Sequence, residues 1–231
     1  MSKTDIEVIA FHGWGFDSSF WNPIKSILSE EFTFKCADRG YFLKPYSPEY
    51  DESDSTQKVV FAHSNGVHTC SDTTLNEADH LFIFGGFLRF YSDNRIDRKK
   101  KKLLVRQWIT QIIDQPKRVL NQFYKFCFEP DEQQLHPSLN VDHDKLLNDL
   151  TKLDNDDNDL QRFYDVPQIT ILHGSDDQII SQDQARKMYH SLRFNSQYFE
   201  ILNTGHSFPF THPKKCADII KTVLSEKKSN E

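Results

Sequence analysis

The segment Val59-Val60-Phe61-Ala62-His63-Ser64-Asn65-Gly66 joins an apolar run to a serine that small residues flank on both sides. The run Val59–Ala62 is rich in β-branched and aromatic residues and has the length of a buried strand. A serine on a sharp strand-to-helix turn needs small residues two positions before and after it, because bulk there would clash with adjacent backbone. Ala62 and Gly66 meet that need around Ser64. The segment therefore predicts a strand, a tight turn and a helix, with an ordinary serine-containing turn as the alternative.

Similar short apolar runs recur along the chain, and each ends in a turn signal. They are Ile6–Phe11, Thr33–Ala37, Val59–Ala62, Leu81–Phe84, Gln168–Leu172 and Tyr198–Leu202. Between several of them, apolar residues have the spacing of one helix face, as at Trp21, Ile24 and Leu28. Strands that alternate with helices indicate a mostly parallel sheet with helices on both faces. The predicted fold class is α/β.

Residues 88–165 break this alternation, because they contain several helical patterns and no convincing strand. Apolar stripes with helical spacing begin at Val105, Val119 and Leu146. We interpret 88–165 as a helical lid inserted into a core formed by residues 1–87 and 166–231. Residues 39–57 contain two prolines and many polar residues, and they are predicted to be a loop.

The composition limits the function. A formal net charge of -6 argues against a surface devoted to nucleic acid. The four cysteines are widely spaced and form no C-x-x-C pair, which favours a reducing compartment without disulfides. The N-terminal stretch lacks the apolar region of a signal peptide, and no segment approaches about 18 apolar residues. We expect a cytoplasmic protein with no membrane or nucleic-acid partner, and we take it to be a monomer.

Titratable side chains follow the last two predicted strands. Asp176 and Asp177 come shortly after Gln168–Leu172, and His206 comes shortly after Tyr198–Leu202. The carboxyl ends of parallel strands meet at one edge of such a sheet, where ligand crevices form. A serine, an aspartate and a histidine in this chain order, each at a strand end, are hard to produce by chance.

These residue types together suit nucleophilic catalysis. A serine hydroxyl is inert at its free pKa, so the attack of Ser64 on an acyl carbon needs a base. His206 has the side-chain type whose unperturbed pKa suits that base. A buried carboxylate, from Asp176 or Asp177, would set the tautomer of the imidazole and stabilise its protonated form.

The loop His12-Gly13-Trp14-Gly15 follows the first predicted strand. Where a serine nucleophile lies on a strand-to-helix turn of a parallel sheet, two backbone N–H groups can form an oxyanion hole. One comes from the loop after an earlier strand, and the other from the residue after the nucleophile. The candidate donors are therefore the N–H groups of Trp14 and Asn65. A glycine turn between a strand and a helix is the alternative.

Several histidines near the predicted crevice suggest a metal site, namely His12, His63, His173 and His206. They form no helical H-x-x-x-H pair, and no cysteine accompanies them. We therefore expect neither a metal nor a cofactor.

At these residues the chain resembles the α/β-hydrolases, and more narrowly the pimeloyl-carrier-protein methyl ester esterases of biotin synthesis. The narrower resemblance lies in His12–Phe16 with Trp21, in Arg118–Cys127 and in Gly205–Pro213. It implies a serine esterase that hydrolyses the methyl ester of a carrier-bound pimeloyl chain through an acyl-enzyme. The Gly-x-x-Asp spacing of the family favours Asp177 as the acid.

The resemblance also has implications for the lid. Family members use the helix that corresponds to Arg118–Cys127 to touch the acyl chain, which implies that Phe123, Lys125 and Cys127 contact substrate.

A basic surface for an acidic acyl carrier protein is a further implication. The segment Arg95–Arg106 has seven cationic residues against one acid. The candidate docking residues are Arg98, Lys99, Lys102 and Arg118. A solvated helix face is an equal alternative, and no nucleic-acid motif accompanies the run.

Two kinds of function compete with this interpretation. A general short-chain carboxylesterase or an acyl thioesterase would keep the triad and differ in whether the basic lid matters. A non-catalytic ligand-binding protein on a hydrolase scaffold would be free to lose Ser64 or His206, so the complete set favours an enzyme.

Overall fold

The computed structural model describes residues 6–52, 57–132, 135, 140–155 and 161–227. Its six-stranded sheet consists of β1 (Ile6–Phe11), β2 (Phe32–Cys36), β3 (Gln57–His63), β4 (His80–Phe84), β5 (Ile169–Gly174) and β6 (Ser196–Ile201). The strand order is β2-β1-β3-β4-β5-β6, and all neighbouring pairs are parallel. The predicted α/β class with a parallel sheet is confirmed, and each predicted strand overlaps an observed one.

Helices connect the strands. They are α1 (Asn22–Leu28), α2 (Gly66–Thr69), α3 (Asp72–Glu77), α4 (Arg95–Gln111), α5 (Pro116–Phe128), α6 (His143–Asn155), α7 (Gln182–Ser191), α8 (Phe208–Thr211) and α9 (Pro213–Lys227). Short 3-10 helices lie at Ser18–Trp21 and Gln161–Phe163. Within the described ranges, no helix has both the length and the apolar character that a membrane crossing requires.

Both faces of the sheet are buried. In β3, Val59 and Phe61 belong to one apolar cluster, whereas Val60 and Ala62 belong to the other. Residues of α1, α9, α4, α5 and α6 pack into the first cluster, and residues of α2, α3 and α7 pack into the second. Because neither face meets water, the strands are nearly continuous apolar runs, which is why the sequence reveals them.

Helices α4, α5 and α6 follow β4 and pack onto the loop after β1. Their buried residues share one cluster with Trp14, and they include Val105, Trp108, Val119, Phe123, Leu146 and Leu150. The helical patterns predicted there are confirmed. Residues 133–134, 136–139 and 156–160 lie outside the described residues, and the division into a core and a lid at 88–165 stays an interpretation.

The segment after Ser64 forms two short helices. Helix α2 is a single turn that ends at Thr69, and the ψ of 136° at the following Cys70 is extended. Ser71 then caps α3 by accepting the N–H of Thr74 at 3.1 Å. Hydroxyl side chains compete for backbone hydrogen bonds and favour caps over helix interiors, so this polar stretch restarts the helix.

The predicted loop after β2 contains no helix or strand within residues 39–52. An isolated antiparallel bridge between Asp38 and Tyr46 closes it. Residues 53–56 lie outside the described residues, and Gln57 already belongs to β3.

Candidate active site

Ser64 lies on the turn between β3 and α2. Its φ of 53° is left-handed, which a non-glycine residue adopts only where its surroundings impose it. Its N–H donates to the carbonyl of Phe84 at 2.9 Å, so the turn is attached to the end of β4. A Cβ at Gly66 would lie 2.4 Å from the carbonyl oxygen of Phe11. The small residue that the sequence predicts after Ser64 is therefore a steric requirement.

A buried hydrogen bond joins His206 to Asp177. His206 Nδ1 lies 2.7 Å from Asp177 Oδ2, and both side chains are fully buried. Asp177 Oδ1 accepts the N–H groups of Ile179 at 2.7 Å and Ile180 at 2.8 Å. Burial by itself raises the pKa of Asp177, but His206, His173 and the N–H of Ile180 together outweigh burial and hold the pKa below its usual value. The carboxylate is thus ionised and held at both oxygens.

The geometry distinguishes the two adjacent aspartates. The side chain of Asp177 turns inward to His206, whereas Asp176 is exposed and accepts the hydroxyl of Ser175 at 3.3 Å. Only Asp177 therefore has the contact that a triad acid needs.

The second nitrogen of His206 faces the interior. Because Nδ1–H donates to a carboxylate, Nε2 carries the lone pair of the neutral ring. Nε2 is buried and has no hydrogen-bond partner among the described residues, Ser64 included. A catalytic serine–histidine hydrogen bond is often long before substrate binds. The ring is therefore in the tautomer that a general base requires.

Gly85 is the meeting point of the three predicted triad residues. It follows Phe84, whose carbonyl accepts the N–H of Ser64. A Cβ at Gly85 would lie 3.1 Å from His206 Nδ1 and 3.5 Å from Asp177 Oδ2, and its φ is +56°. The structure thus brings Ser64, Asp177 and His206 to the end of β4. The sequence analysis used Gly85 only as a turn signal.

The two predicted oxyanion donors lie on the loops beside Ser64. A Cβ at Gly13 would lie 3.0 Å from Ser64 Cβ, so the loop after β1 touches the serine. Among the described residues, the backbone N–H groups of Trp14 and Asn65 have no protein acceptor. The Trp14 indole donates instead to the carbonyl of Leu146 on α6, at 2.9 Å. Two unpaired N–H groups next to a serine can bind a developing negative charge.

The His63 ring contacts the backbone of His206, a contact that the sequence analysis did not predict. Its Nε2–H donates to the carbonyl of His206 at 3.1 Å, and its ring stacks on Phe20 at 4.4 Å between centroids. Burial, and then the nearby charge of His206, lower the pKa of His63 well below its ordinary value. His63 is therefore a neutral donor held against the segment that contains His206.

The other histidines have separate surroundings. His12 Nε2 accepts the N–H of Arg39 at 3.0 Å, and His173 Nδ1 lies 4.0 Å from Asp177 Oδ2. In the part of the chain that the structure describes, no three His, Cys, Asp or Glu side chains form a group that could hold a metal ion.

The predicted substrate-contact residues of α5 lie in different places. Phe123 packs edge-on against Trp14, with 4.9 Å between centroids. Cys127 is buried, and its carbonyl accepts the N–H of Ser207 at 2.9 Å. The side chain of Lys125 is 72% exposed and lies 3.9 Å from Glu129. Phe123 and Cys127 thus border the predicted site, whereas Lys125 faces solvent and touches no other predicted site residue. Substrate contact by these three stays a prediction.

The predicted docking residues lie on the outside of α4 and α5. Lys99 and Arg118 are exposed, and Lys102 is half-buried. Arg98 Nη2 lies 3.6 Å from Asp93, so part of its charge is balanced. A carrier-docking role for these residues stays a prediction.

A polar cleft of about 400 Å³ opens beside Asn65. Its lining residues are Arg39, Asn65, His68, Thr69, Asp149, Lys152, Leu153 and Asn155. Asp149 on α6 accepts from Arg39 Nε at 2.6 Å and from the Tyr41 hydroxyl at 2.8 Å. This ion pair attaches α6 to the loop after β2 at the border of the site.

Comparison at the sequence level yields no match. No protein-family model matches the chain, and no curated protein sequence matches it.

Solved structures are similar over nearly the whole chain. An esterase from Exiguobacterium antarcticum has a TM-score of 0.72 at 17% identity, covering 95% of this chain and 91% of that one. An esterase from Thermogutta terrifontis, solved with malate bound, has 0.73 at 15% identity, covering 96% and 90%. A bromoperoxidase from Bacillus anthracis has 0.69 at 17% identity, covering 96% and 92%. The chain thus has the α/β-hydrolase fold, on which more than one activity occurs, so the fold does not choose the reaction.

Proposed function

We propose that the chain is a serine hydrolase of carboxylic esters. The observation that carries this proposal is the buried hydrogen bond between His206 and Asp177, at 2.7 Å, beside a serine on a left-handed turn. In the neutral imidazole this bond leaves the lone pair on Nε2 of His206. The names of the two similar esterases support the same reaction class by analogy.

The acylation step follows from these positions. Ser64 Oγ attacks the ester carbonyl carbon while His206 Nε2 takes the hydroxyl proton. The carbonyl oxygen becomes an oxyanion, which the N–H groups of Trp14 and Asn65 bind. Asp177 stabilises the imidazolium. When the tetrahedral intermediate collapses, the C–O bond to the alcohol breaks and His206 donates its proton to the leaving oxygen.

Deacylation repeats the sequence with water. His206 removes a proton from water as the water oxygen attacks the acyl carbon of the Ser64 ester. The bond to Ser64 Oγ then breaks, Oγ regains a proton from His206, and a carboxylic acid leaves.

The test is covalent labelling together with turnover. We expect a fluorophosphonate to label Ser64, and p-nitrophenyl acetate to be hydrolysed by the wild type but not by Ser64→Ala. Ser26→Ala, which removes an exposed hydroxyl on α1, is the control and should remain active. A chain that binds neither reagent at Ser64 would be a ligand-binding protein on this fold.

We propose, more narrowly, that the substrate is the methyl ester of a pimeloyl chain on an acyl carrier protein. The supporting feature is charge: Arg95–Arg106 has seven cations and one acid in a chain of net charge -6. Arg95, Lys99 and Lys100 are exposed on α4. Such a local surface would steer an acidic carrier that the rest of the molecule repels.

The narrower proposal has its own test. Charge reversal by Lys99→Glu and Arg118→Glu should lower kcat/KM for the carrier ester by about 10-fold at low salt, with less effect at high salt. Hydrolysis of p-nitrophenyl acetate should not change. If the wild type hydrolyses only the generic ester, the carrier substrate is excluded and a short-chain esterase remains.

A further inference from the structure

The ammonium of Lys101 on α4 contacts backbone carbonyls outside the helix. Its Nζ donates to the carbonyl of Ile179 and lies 3.4 Å from the carbonyl of Phe90. It also lies 5.0 Å from the centroid of the Phe90 ring. Lys101 is four residues before the buried Val105 and seven before the buried Trp108, so all three share the inward face of the helix. Lys101 therefore links the helix to the core.

A single peptide group connects Lys101 to the predicted triad acid. The carbonyl of Ile179 and the N–H of Ile180 belong to the same trans peptide, so they point in opposite directions. The N–H of Ile180 donates to Asp177 Oδ1 at 2.8 Å. Lys101 thus binds one end of a peptide whose other end binds the acid. A cation on the carbonyl polarises the peptide and strengthens the donation by its N–H.

We propose that Lys101 is a positioning residue for the Asp177–His206 pair. The chain of contacts runs from Lys101 to the Ile179–Ile180 peptide, to Asp177, and across 2.7 Å to His206. The orientation of the acid then depends on the packing of α4 against the loop after β5. Lys101 itself touches no substrate and acts through Asp177. The kinetic part of this inference rests on the proposed hydrolase function.

The kinetic test compares three lysine variants. Lys101→Met keeps an unbranched side chain and removes the ammonium, and Lys101→Arg keeps a cationic donor. Lys117→Met changes an exposed lysine on α5 and is the matched control. With p-nitrophenyl acetate, Lys101→Met should lower kcat by about 10-fold with KM changed less than about twofold. Lys101→Arg should recover most of the loss, and Lys117→Met should match the wild type.

A second measurement needs no turnover. A hydrogen-bonded imidazole Nδ1–H next to a carboxylate gives a downfield proton NMR signal. If this signal disappears in Asp177→Asn, it belongs to His206. Lys101→Met should shift or broaden this signal at a temperature well below the Tm of the variant, whereas Lys117→Met should leave it in place. An unchanged signal in Lys101→Met, or an equal loss of kcat in Lys101→Met and Lys101→Arg, would overturn the proposal.

The two proposals fail in different ways. If ester hydrolysis is absent, or survives Ser64→Ala, the hydrolase function fails and the His206 signal alone decides the role of Lys101. If hydrolysis depends on Ser64 but Lys101→Met equals Lys117→Met in kcat and signal, only the role of Lys101 fails.

Discussion

His206 Nδ1 donates to Asp177 Oδ2 across 2.7 Å in a site where neither side chain is exposed. A buried carboxylate is stable only if its oxygens are hydrogen-bonded. Two backbone N–H groups meet this condition at Asp177 Oδ1. These hydrogen bonds therefore stabilise the ionised Asp177 and fix the tautomer of His206.

Separate substitutions of Asp177 and Asp176 test which of the two aspartates is the triad acid. Asp177→Asn should lower kcat by about 10³–10⁴-fold, because an amide in place of the carboxylate favours the wrong imidazole tautomer. Asp176→Asn should stay within about twofold of the wild type, since Asp176 is exposed. The measurement is kcat for p-nitrophenyl acetate, with Tm as a check of folding. Loss of activity in the Asp176 variant alone would reverse the assignment.

The same pair predicts a pH dependence of stability. Burial alone would raise the pKa of Asp177, but His206, His173 and the N–H of Ile180 together lower it by more than burial raises it. The pKa of Asp177 in the folded state thus lies below the unfolded value of about 3.9. The ionised carboxylate therefore contributes its full stabilisation above that pH and loses it as pH falls through the folded pKa. The free energy of unfolding in urea should therefore fall more steeply below about pH 4 in the wild type than in Asp177→Asn. Equal slopes would contradict this expectation.

Gly85→Ala should damage the site more than it damages the fold. The new Cβ would lie 3.1 Å from His206 Nδ1, and the φ of +56° disfavours alanine. Gly40 has a φ of +84° in the loop after β2, and a Cβ there would lie 3.1 Å from Pro45 Cβ, so Gly40→Ala is a control for strain and crowding away from His206. We expect each variant to lose about 1–2 kcal/mol of stability, and only Gly85→Ala to lose about 10-fold or more in kcat. Urea unfolding and turnover of the same samples separate the two effects, and full activity in Gly85→Ala would refute the prediction.

Asp149→Asn should loosen the attachment of α6. Asp149 is 2% exposed and accepts from Arg39 and Tyr41, so the substitution leaves the guanidinium without its anion. We expect a loss of about 1–3 kcal/mol in the free energy of unfolding, because the acceptor is buried while the Arg39 side chain remains 36% exposed. Asp142→Asn breaks an exposed pair with Lys145 at 3.5 Å and should cost less than about 1 kcal/mol. Similar losses of unfolding free energy in the two variants would show that the Asp149–Arg39 pair stabilises the fold no more than the pair of Asp142 with Lys145.

Much of the fold could be predicted because its strands are buried on both faces. Val59–Ala62 and Leu81–Phe84 are continuous apolar runs, and that pattern depends on local sequence alone. The helical restart at Ser71 was not predicted, since it depends on a balance between weak helix propensity and one capping hydroxyl.

The candidate site was only partly visible in the sequence. Ser64 and His206 were identified because each follows a strand, and the ends of parallel strands converge. The choice of Asp177 over Asp176 came from a family spacing, because neighbouring residues share the same strand end. The structure separates them because the turn after β5 directs one carboxylate inward and leaves the other exposed.

The sequence by itself determined the parallel sheet, the order of Ser64, Asp177 and His206 along the chain, and the small residue at Gly66. These features follow from periodicity and from steric limits that act over a few residues. Only the tertiary structure decided that Lys101 faces Ile179, that Gly85 lies against His206, and that Arg39 meets Asp149, 110 residues away. Contacts over such separations arise from the packing of whole elements, and no local pattern encodes which side chain they bring together.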